Sequence, residues 1–308
     1  MFSNIQSSQE DNRFVFTSSS VGTGNKRVAW NKPPGIIGLN ILCIGGGGSG
    51  GSGYTFNDAS VKHGGGGGSS GTITSVSILS RFLPETLYIT VGRGGARNTV
   101  GVSLNGNNGT NTIVSIAEDT TTDYYNVAIA FGGNFGEGYG SGQSGGAAVT
   151  APTITNMPIA SCGIYSMIGG KGGETGGTGT GARSPLYTLQ GSILSGGQGG
   201  GSAASGIGSS TLYAPGGVMV NQNINDSIRL PVISSSQDLA DGNGTTLFKP
   251  IFCSFGGDGG WSSDTGASYD AGNGGIGCGG GGSGSSLIPY AYGQSGAGGD
   301  GLVIISCW

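Results

Sequence analysis

The chain has 308 residues, 71 of them glycine, with 35% hydrophobic and 9% charged residues and a formal net charge of −4. Disordered chains combine low hydrophobicity with high charge, so this low charge, together with 11 Tyr, 10 Phe and 3 Trp, points to an ordered chain. The nearest basic pairs are Lys26-Arg27 and Arg93 with Arg97; no basic stripe tracks a phosphate backbone, which excludes a nucleic-acid partner.

The opening residues, Met1-Phe2-Ser3-Asn4-Ile5-Gln6, carry neither a basic n-region nor an apolar h-region. The expectation is a protein made and folded in a cytosol. Residues 1–12 read as an N-terminal arm. Arg13 to Thr17 is a short strand candidate. Pro33-Pro34-Gly35 reads as a rigid turn, because proline fixes its own φ and restricts the residue before it. Trp30, just ahead of it, is expected to pack on that turn. Ile36 to Ile44 reads as a longer strand with Ile37, Leu39, Ile41 and Cys43 on one face. Thr72 to Leu79, Leu87 to Val91 and Asn126 to Phe131 follow as strands. Leu87, Ile89 and Val91 share one face. No stretch sustains a helical period; the nearest, Asp238-Leu239-Ala240-Asp241, stops at Gly242. The apolar ending Leu302-Val303-Ile304-Ile305 is expected to return and pair beside an N-terminal strand. The division that results is an arm (1–12), a β-rich part with glycine loops (13–131), and a glycine-rich bundle with inserted loops and a returning C-terminal strand (132–308).

Glycine comes in runs, at 45–51 (interrupted by Ser49), 64–68, 169–173 (interrupted by Lys171) and 279–282. Each glycine in a regular element costs up to about 1 kcal/mol relative to alanine. Ordered glycine runs therefore need a structure that gains from the missing Cβ. Extended polyproline II strands packed backbone to backbone supply one, as at the crowded axis of collagen. The rhythm of Gly169-Gly170-Lys171-Gly172-Gly173-Glu174 matches three residues per turn, and a ten-residue run spans roughly 30 Å. The expected fold class is mainly β plus a glycine-rich polyproline II bundle, with a β-sandwich-like N-terminal part and almost no helix.

Motifs for chemistry fail on context. Gly45-x-Gly47-x-x-Gly50 follows a strand, but Gly51-Ser52-Gly53-Tyr54 opens no helix, so it is no dinucleotide site. Gly170-Lys171-Gly172 lacks the Ser or Thr of a phosphate loop. No cofactor is expected. Cys43, Cys162, Cys253, Cys278 and Cys307 are odd in number and widely spaced, which favours reduced thiols. With no Cys-x-x-Cys pair and His63 as the sole histidine, no zinc site is expected. Asp258, Asp264 and Asp270 read as solvated turn residues rather than a calcium site. His63 with Cys43 or a serine imitates a nucleophile pair only in composition; no catalytic residue is assigned, and the chain reads as a non-enzyme. The glycine-poorer segments 147–168, 186–194, 211–255 and 287–292 read as end loops of the bundle. They carry Tyr165, Tyr187, Tyr213, Tyr290 and Tyr292. Loops on a rigid scaffold hold binding specificity, and tyrosine gives large contact area at low entropy cost. These tyrosines, with Trp261 as a lid on the core or an exposed contact, are the candidate receptor-binding residues.

Phe14-Val15-Phe16-Thr17, Trp30-Asn31-Lys32-Pro33-Pro34-Gly35 and the strand running into Gly45-Gly46-Gly47-Gly48 come first. Tyr88-Ile89-Thr90-Val91-Gly92-Arg93-Gly94-Gly95 follows, then Gly298-Gly299-Asp300-Gly301-Leu302-Val303-Ile304-Ile305 with Trp308. In this order they resemble the glycine-rich domain of bacteriophage tail and tail-fibre proteins, over residues 13 to 308. The resemblance implies a virion protein, made in the host cytoplasm, built as a polyglycine/polyproline II sandwich whose distal loops touch the host surface. It implies other virion proteins and a host-surface glycan or outer-membrane protein as partners, and leaves a homo-oligomer open. The chain departs from phage tip adhesins in its β-rich first part and in residues 211–255, so no host-recognition residue is carried over. Two other readings stand beside attachment: a purely structural virion component, such as a fibre joint or capsid-associated protein, and an ice-binding protein. If these tracts pack backbone on backbone, Gly170→Ala and Gly199→Ala should lower the melting temperature, as thermal unfolding would show.

Overall fold

The computed structural model describes residues 12–18, 27–53, 55–56, 64–98, 105–118, 125–138, 145–147, 149–150, 163–167, 169, 172, 194, 196–197, 246–247, 253–254, 256–260, 269–287 and 293–308. Among them are β1 (Arg13–Thr17), β2 (Val28–Asn31), β3 (Gly38–Ile44), β4 (Thr55–Phe56), β5 (Ile73–Leu79), β6 (Thr86–Thr90), β7 (Thr112–Ser115), β8 (Asn126–Ala130), β9 (Gly163–Met167), β10 (Thr246–Leu247), β11 (Cys253–Ser254), β12 (Ser286–Leu287) and β13 (Leu302–Cys307). The described residues hold no α-helix, only a 3-10 turn at Ser80–Phe82. The fold is nearly all β, with two antiparallel sheets in the orders β1-β13-β3-β5-β9 and β2-β6-β7-β8.

The sheets face each other across one apolar layer. Alternation along β3 turns Leu39, Ile41 and Cys43 inward beside Val76, Ile78, Val303 and Ile305. From the other sheet Leu87, Ile89, Val114, Ala128 and Ala130 complete the layer. Val91 joins it just past the end of β6, so the expected face of Leu87, Ile89 and Val91 holds. The C-terminal strand does return. It lies between β1 and β3, antiparallel to both. Ile37 departs from expectation: it is 70% exposed, and the strand starts at Gly38. The N–H groups of Ile37 and Gly38 both donate to the Trp308 carbonyl, at 2.7 and 3.1 Å, which closes the ladder there and leaves the Ile37 side chain outside it. Trp30 is a core residue, buried in the layer and edge-on to Phe14 with centroids 5.2 Å apart.

Six sheet strands continue into glycine segments. Strands β3, β6 and β8 lead out into 45–53, 91–98 and 131–138. Segments 64–72, 105–111 and 293–301 lead back into β5, β7 and β13. Segment 45–53 is buried throughout, and its bonds repeat every three residues. Gly45, Gly48 and Gly51 donate to Thr72, Ser69 and Gly66 at 3.0, 2.9 and 2.8 Å. Gly46 and Ser49 donate to Thr110 and Asn107, while Gly47 and Gly50 donate to Gly299 and Gly296. Its carbonyls accept from Gly95, Gly133, Gly136, Gly280 and Ser283. The segment thus donates to three returning neighbours and accepts from three outgoing ones. A repeat of three residues is that of a polyproline II helix, here surrounded by six others.

Three buried segments bond in a ring. Gly48 donates to Ser69, Gly68 to Gly280 and Gly280 back to Gly48, each at 2.9 Å. One turn on, Gly51 donates to Gly66 (2.8 Å), Gly65 to Ser283 (2.8 Å) and Ser283 to Gly51 (3.1 Å). Small hydroxyls fill gaps that carbonyls do not reach. The Ser69 and Thr72 oxygens accept from the Asn134 and Phe131 N–H groups, both at 2.7 Å.

Close approach, rather than special backbone angles, demands these glycines. Among the described residues φ is positive only at Gly35 (81°) and Gly277 (70°), both in turns. A Cβ on Gly48 would fall within 3.0 Å of the Asn134 main chain, and one on Gly280 within 3.0 Å of the Gly296 main chain. Backbone held in a lattice cannot step aside as a side-chain tip can. Gly170 and Gly199 lie outside the described residues. We expect Gly48→Ala and Gly280→Ala each to cost about 3 kcal/mol by overpacking. At Gly163 the nearest atom to an added Cβ is 3.9 Å away, and Gly163→Ala should stay within about 0.5 kcal/mol of the parent. Denaturant midpoints measure all three.

Candidate functional site

The outgoing glycine segments leave the sandwich and end, with the returning ones, at the far end of the bundle. One polar residue ties several segments together there. Asn98 is buried, and its N–H donates to Ser295 Oγ at 3.3 Å. Its Nδ2 donates to the Asn105 carbonyl (2.9 Å) and to Ser52 Oγ (3.4 Å). Asn107 Nδ2 donates in turn to Asn98 Oδ1 (3.3 Å) and to the Ala96 carbonyl (2.9 Å). An amide has two donors and an acceptor, so this single side chain links segments 45–53, 91–98 and 105–111 where the chain leaves the lattice. Beside it, Arg97 Nη1 donates to Gln294 Oε1 at 2.9 Å and Nη2 to Asn273 Oδ1 at 3.4 Å. These bonds tie neighbouring segments to one another at the end of the bundle.

Of the candidate receptor-binding residues, Tyr165 is described. It sits in β9, the edge of the five-stranded sheet, 59% exposed on the face opposite the apolar layer and across from Ser75. It is not in an end loop of the bundle, because residues 163–167 pair with β5. Tyr187, Tyr213, Trp261, Tyr290 and Tyr292 lie outside the described residues. The described residues flanking three of them, Gly260 and Tyr269 around Trp261 and Leu287 and Gly293 around Tyr290 and Tyr292, stand at the far end of the bundle. There Gly260 donates to the Gly282 carbonyl.

The opposite end of the molecule, on the sandwich, exposes apolar side chains. Ile37, Phe82 and Trp308 are all exposed, and Arg81 stacks over the Phe82 ring at 4.8 Å. The indole of Trp308 covers Gly38. Lys32 fixes the turn that carries Arg81 and Phe82. Its ammonium donates to the carbonyls of Ser80 (3.0 Å) and Leu83 (3.1 Å) and pairs with Glu85 at 3.2 Å. These groups fall within the Trp-Asn-Lys-Pro-Pro-Gly motif and the turn facing it, which gives that motif a structural task. Asp270, taken at sequence level for a turn residue, accepts from the Gln294 N–H at its Oδ1. The residues passed over at sequence level are polar ones at three-residue steps, Asn105, Asn108, Asn111 and Asn273. Their regular spacing was the available signal.

Among the described residues no group of His, Cys, Asp and Glu could hold a metal ion. No helix among them is long and apolar enough to cross a membrane. His63 lies outside the described residues. Cys43 is fully buried in β3, and desolvation pushes its thiol far above the ordinary value of 9.0. That is the reverse of the lowered pKa of a reactive cysteine. Cys307 is shifted the same way by the same cause.

A family model described as a glycine-rich domain matches residues 21–308, and the chain belongs to that family. No curated protein matches it.

The Cys43 thiol makes stability depend on pH. Above the ordinary thiol value of 9.0 the unfolded chain loses this proton while the folded chain keeps it. Stability contributed below that value is then lost as pH rises, by up to about 1.4 kcal/mol per pH unit. Denaturant midpoints at pH 7 and pH 10 should fall further apart for the parent than for Cys43→Ala.

Proposed function

We propose that this glycine-rich domain protein is a viral structural protein of a phage tail fibre or tip. In this reading it attaches the particle to a host-surface receptor through chain presented on a rigid scaffold. The observation that carries the reading is the buried segment 45–53, hydrogen-bonded to six neighbouring segments of the bundle. Presentation needs a support that does not yield when the presented chain engages, and main chain bonded on all sides provides one. Binding then costs little ordering entropy, since the support is organised in advance. The reading needs no catalytic step and no cofactor. It places the protein in the virion, with other fibre or tail proteins at one end and a glycan or outer-membrane protein at the other. The phage assignment rests on the resemblance of the sequence motifs, and Tyr187, Tyr213, Trp261, Tyr290 and Tyr292 are its proposed contacts; Tyr165, in the edge strand of the sandwich, is not among them.

One observation favours a second reading, that of a purely structural virion component. Ile37, Phe82 and Trp308 are exposed together at the sandwich end, and exposed apolar side chains grouped in this way suit packing against another protein. The position of the chain in imaged particles separates the two readings: an exposed fibre end or tip fits attachment, a site within the shell or mid-fibre fits the structural role. Excess soluble protein should slow adsorption of the particle to its host in proportion to dose. Adsorption unchanged at saturating protein would remove the attachment reading.

A further inference from the structure

Every buried donor in the lattice needs an acceptor. For residues 45–51 the acceptors are carbonyls of neighbouring segments, and for Gly53 the acceptor is Ser283 Oγ. On the outer segments side chains take over as acceptors in the same three-residue register. On one flank the N–H groups of Gly132, Phe135 and Gly138 donate to Asn111, Asn108 and Asn105 Oδ1, each at 2.9 Å. On another, Gln294 and Ala297 donate to Asp270 and Asn273 Oδ1 at 2.6 and 2.8 Å. Asp300 Oδ1 accepts from Gly94 at 2.8 Å. Three residues of polyproline II rise roughly 9 Å, so Asn105, Asn108 and Asn111 repeat the carbonyl spacing of a glycine segment. All three are exposed.

We propose that these side-chain carbonyls close the flanks of the bundle against a further glycine segment, and that the partner they shut out is a second copy of this chain. A bare row of N–H groups at a lattice edge is a template for another backbone, as at an unprotected sheet edge. The Asn and Asp side chains occupy each donor from within the same molecule. A segment of another copy then meets satisfied amides and bulky side chains instead of open donors. The flanks stay inert, and contact with other proteins is left to the two ends and the sandwich. This closure does not depend on what the protein attaches to.

The test uses the full chain carrying N105A/N108A/N111A, with light scattering for mass and hydrogen exchange for the bundle. Association should raise its mass at least twofold over the parent, increasingly with concentration, while the amides of 45–53 stay protected. Exchange at Gly132, Phe135 and Gly138 should be fast in dilute solution and slow again as the protein associates. The variant N105D/N108D/N111D, which keeps an acceptor oxygen at each place, should match the parent in mass. A folded triple alanine variant with the parent's mass at every concentration overturns the proposal. If that variant does not fold, Asn108→Ala alone bares one donor. A concentration-dependent gain in its mass supports the closure, and the parent's mass overturns it.

Discussion

Main-chain hydrogen bonds between backbones that approach too closely for a Cβ are the interaction on which this molecule rests. A net contribution of about 1 kcal/mol for each such bond would not by itself offset the entropy of ordering glycine. The lattice adds two further gains. Each segment is bonded to several others at once, as in the ring of Gly48, Ser69, Gly68 and Gly280, so ordering one segment serves several partners. Dense contact between backbones also supplies dispersion attraction that loose packing forfeits. Both gains vanish where a side chain intervenes, which is why the residues sharing these tracts with glycine are mostly small: Ser49, Ser52, Ser69, Ser70, Ser283 and Ser285 are all buried.

The sandwich supplies what the lattice lacks. A bundle of glycine has almost no apolar side-chain surface to bury, and the apolar layer between the sheets provides that driving force. Since six strands pass from one layer to the other, registering the sheets also registers the glycine segments. β3 is held to β5 with Ile44 opposite Ile73, and the next bond on, Gly45 to Thr72, already belongs to the bundle. A second apolar cluster of Ile44, Ile73, Leu194, Cys278, Leu302 and Ile304 lies where the layers meet. Gly277, at positive φ, turns the chain back there, where a Cβ would strike the Ile44 side chain.

The two ends differ in the contacts they offer. The sandwich end groups Ile37, Phe82 and Trp308, braced by the Lys32 ammonium, and suits apolar packing. At the bundle end the buried Asn98 joins neighbouring segments through its amide. On the flanks of the bundle, main-chain donors are met by the molecule's own Asn and Asp side chains.

Much of the fold was legible in the sequence because it is written in local pattern. Alternation placed Leu39, Ile41 and Cys43, and Leu87, Ile89 and Val91, on their core faces. The run Leu302 to Ile305 had to find a sheet, and the glycine runs had to lie backbone against backbone. Ile37 was misread because the pattern continues past the point where the Trp308 carbonyl captures both N–H groups, and nothing near residue 37 records a partner 271 positions away. Tyr165 was read as loop because its strand exists only through pairing with β5. The amino-acid order alone settled which residues could be buried and which tracts must lie close to other main chain, since those properties belong to side chains and their absence. Which tract neighbours which, in what direction, and which Asn oxygen meets which amide were decided by the tertiary structure. Glycine carries no side chain to tell one neighbour from another, so the choice falls to the sheets that hold the strands in register.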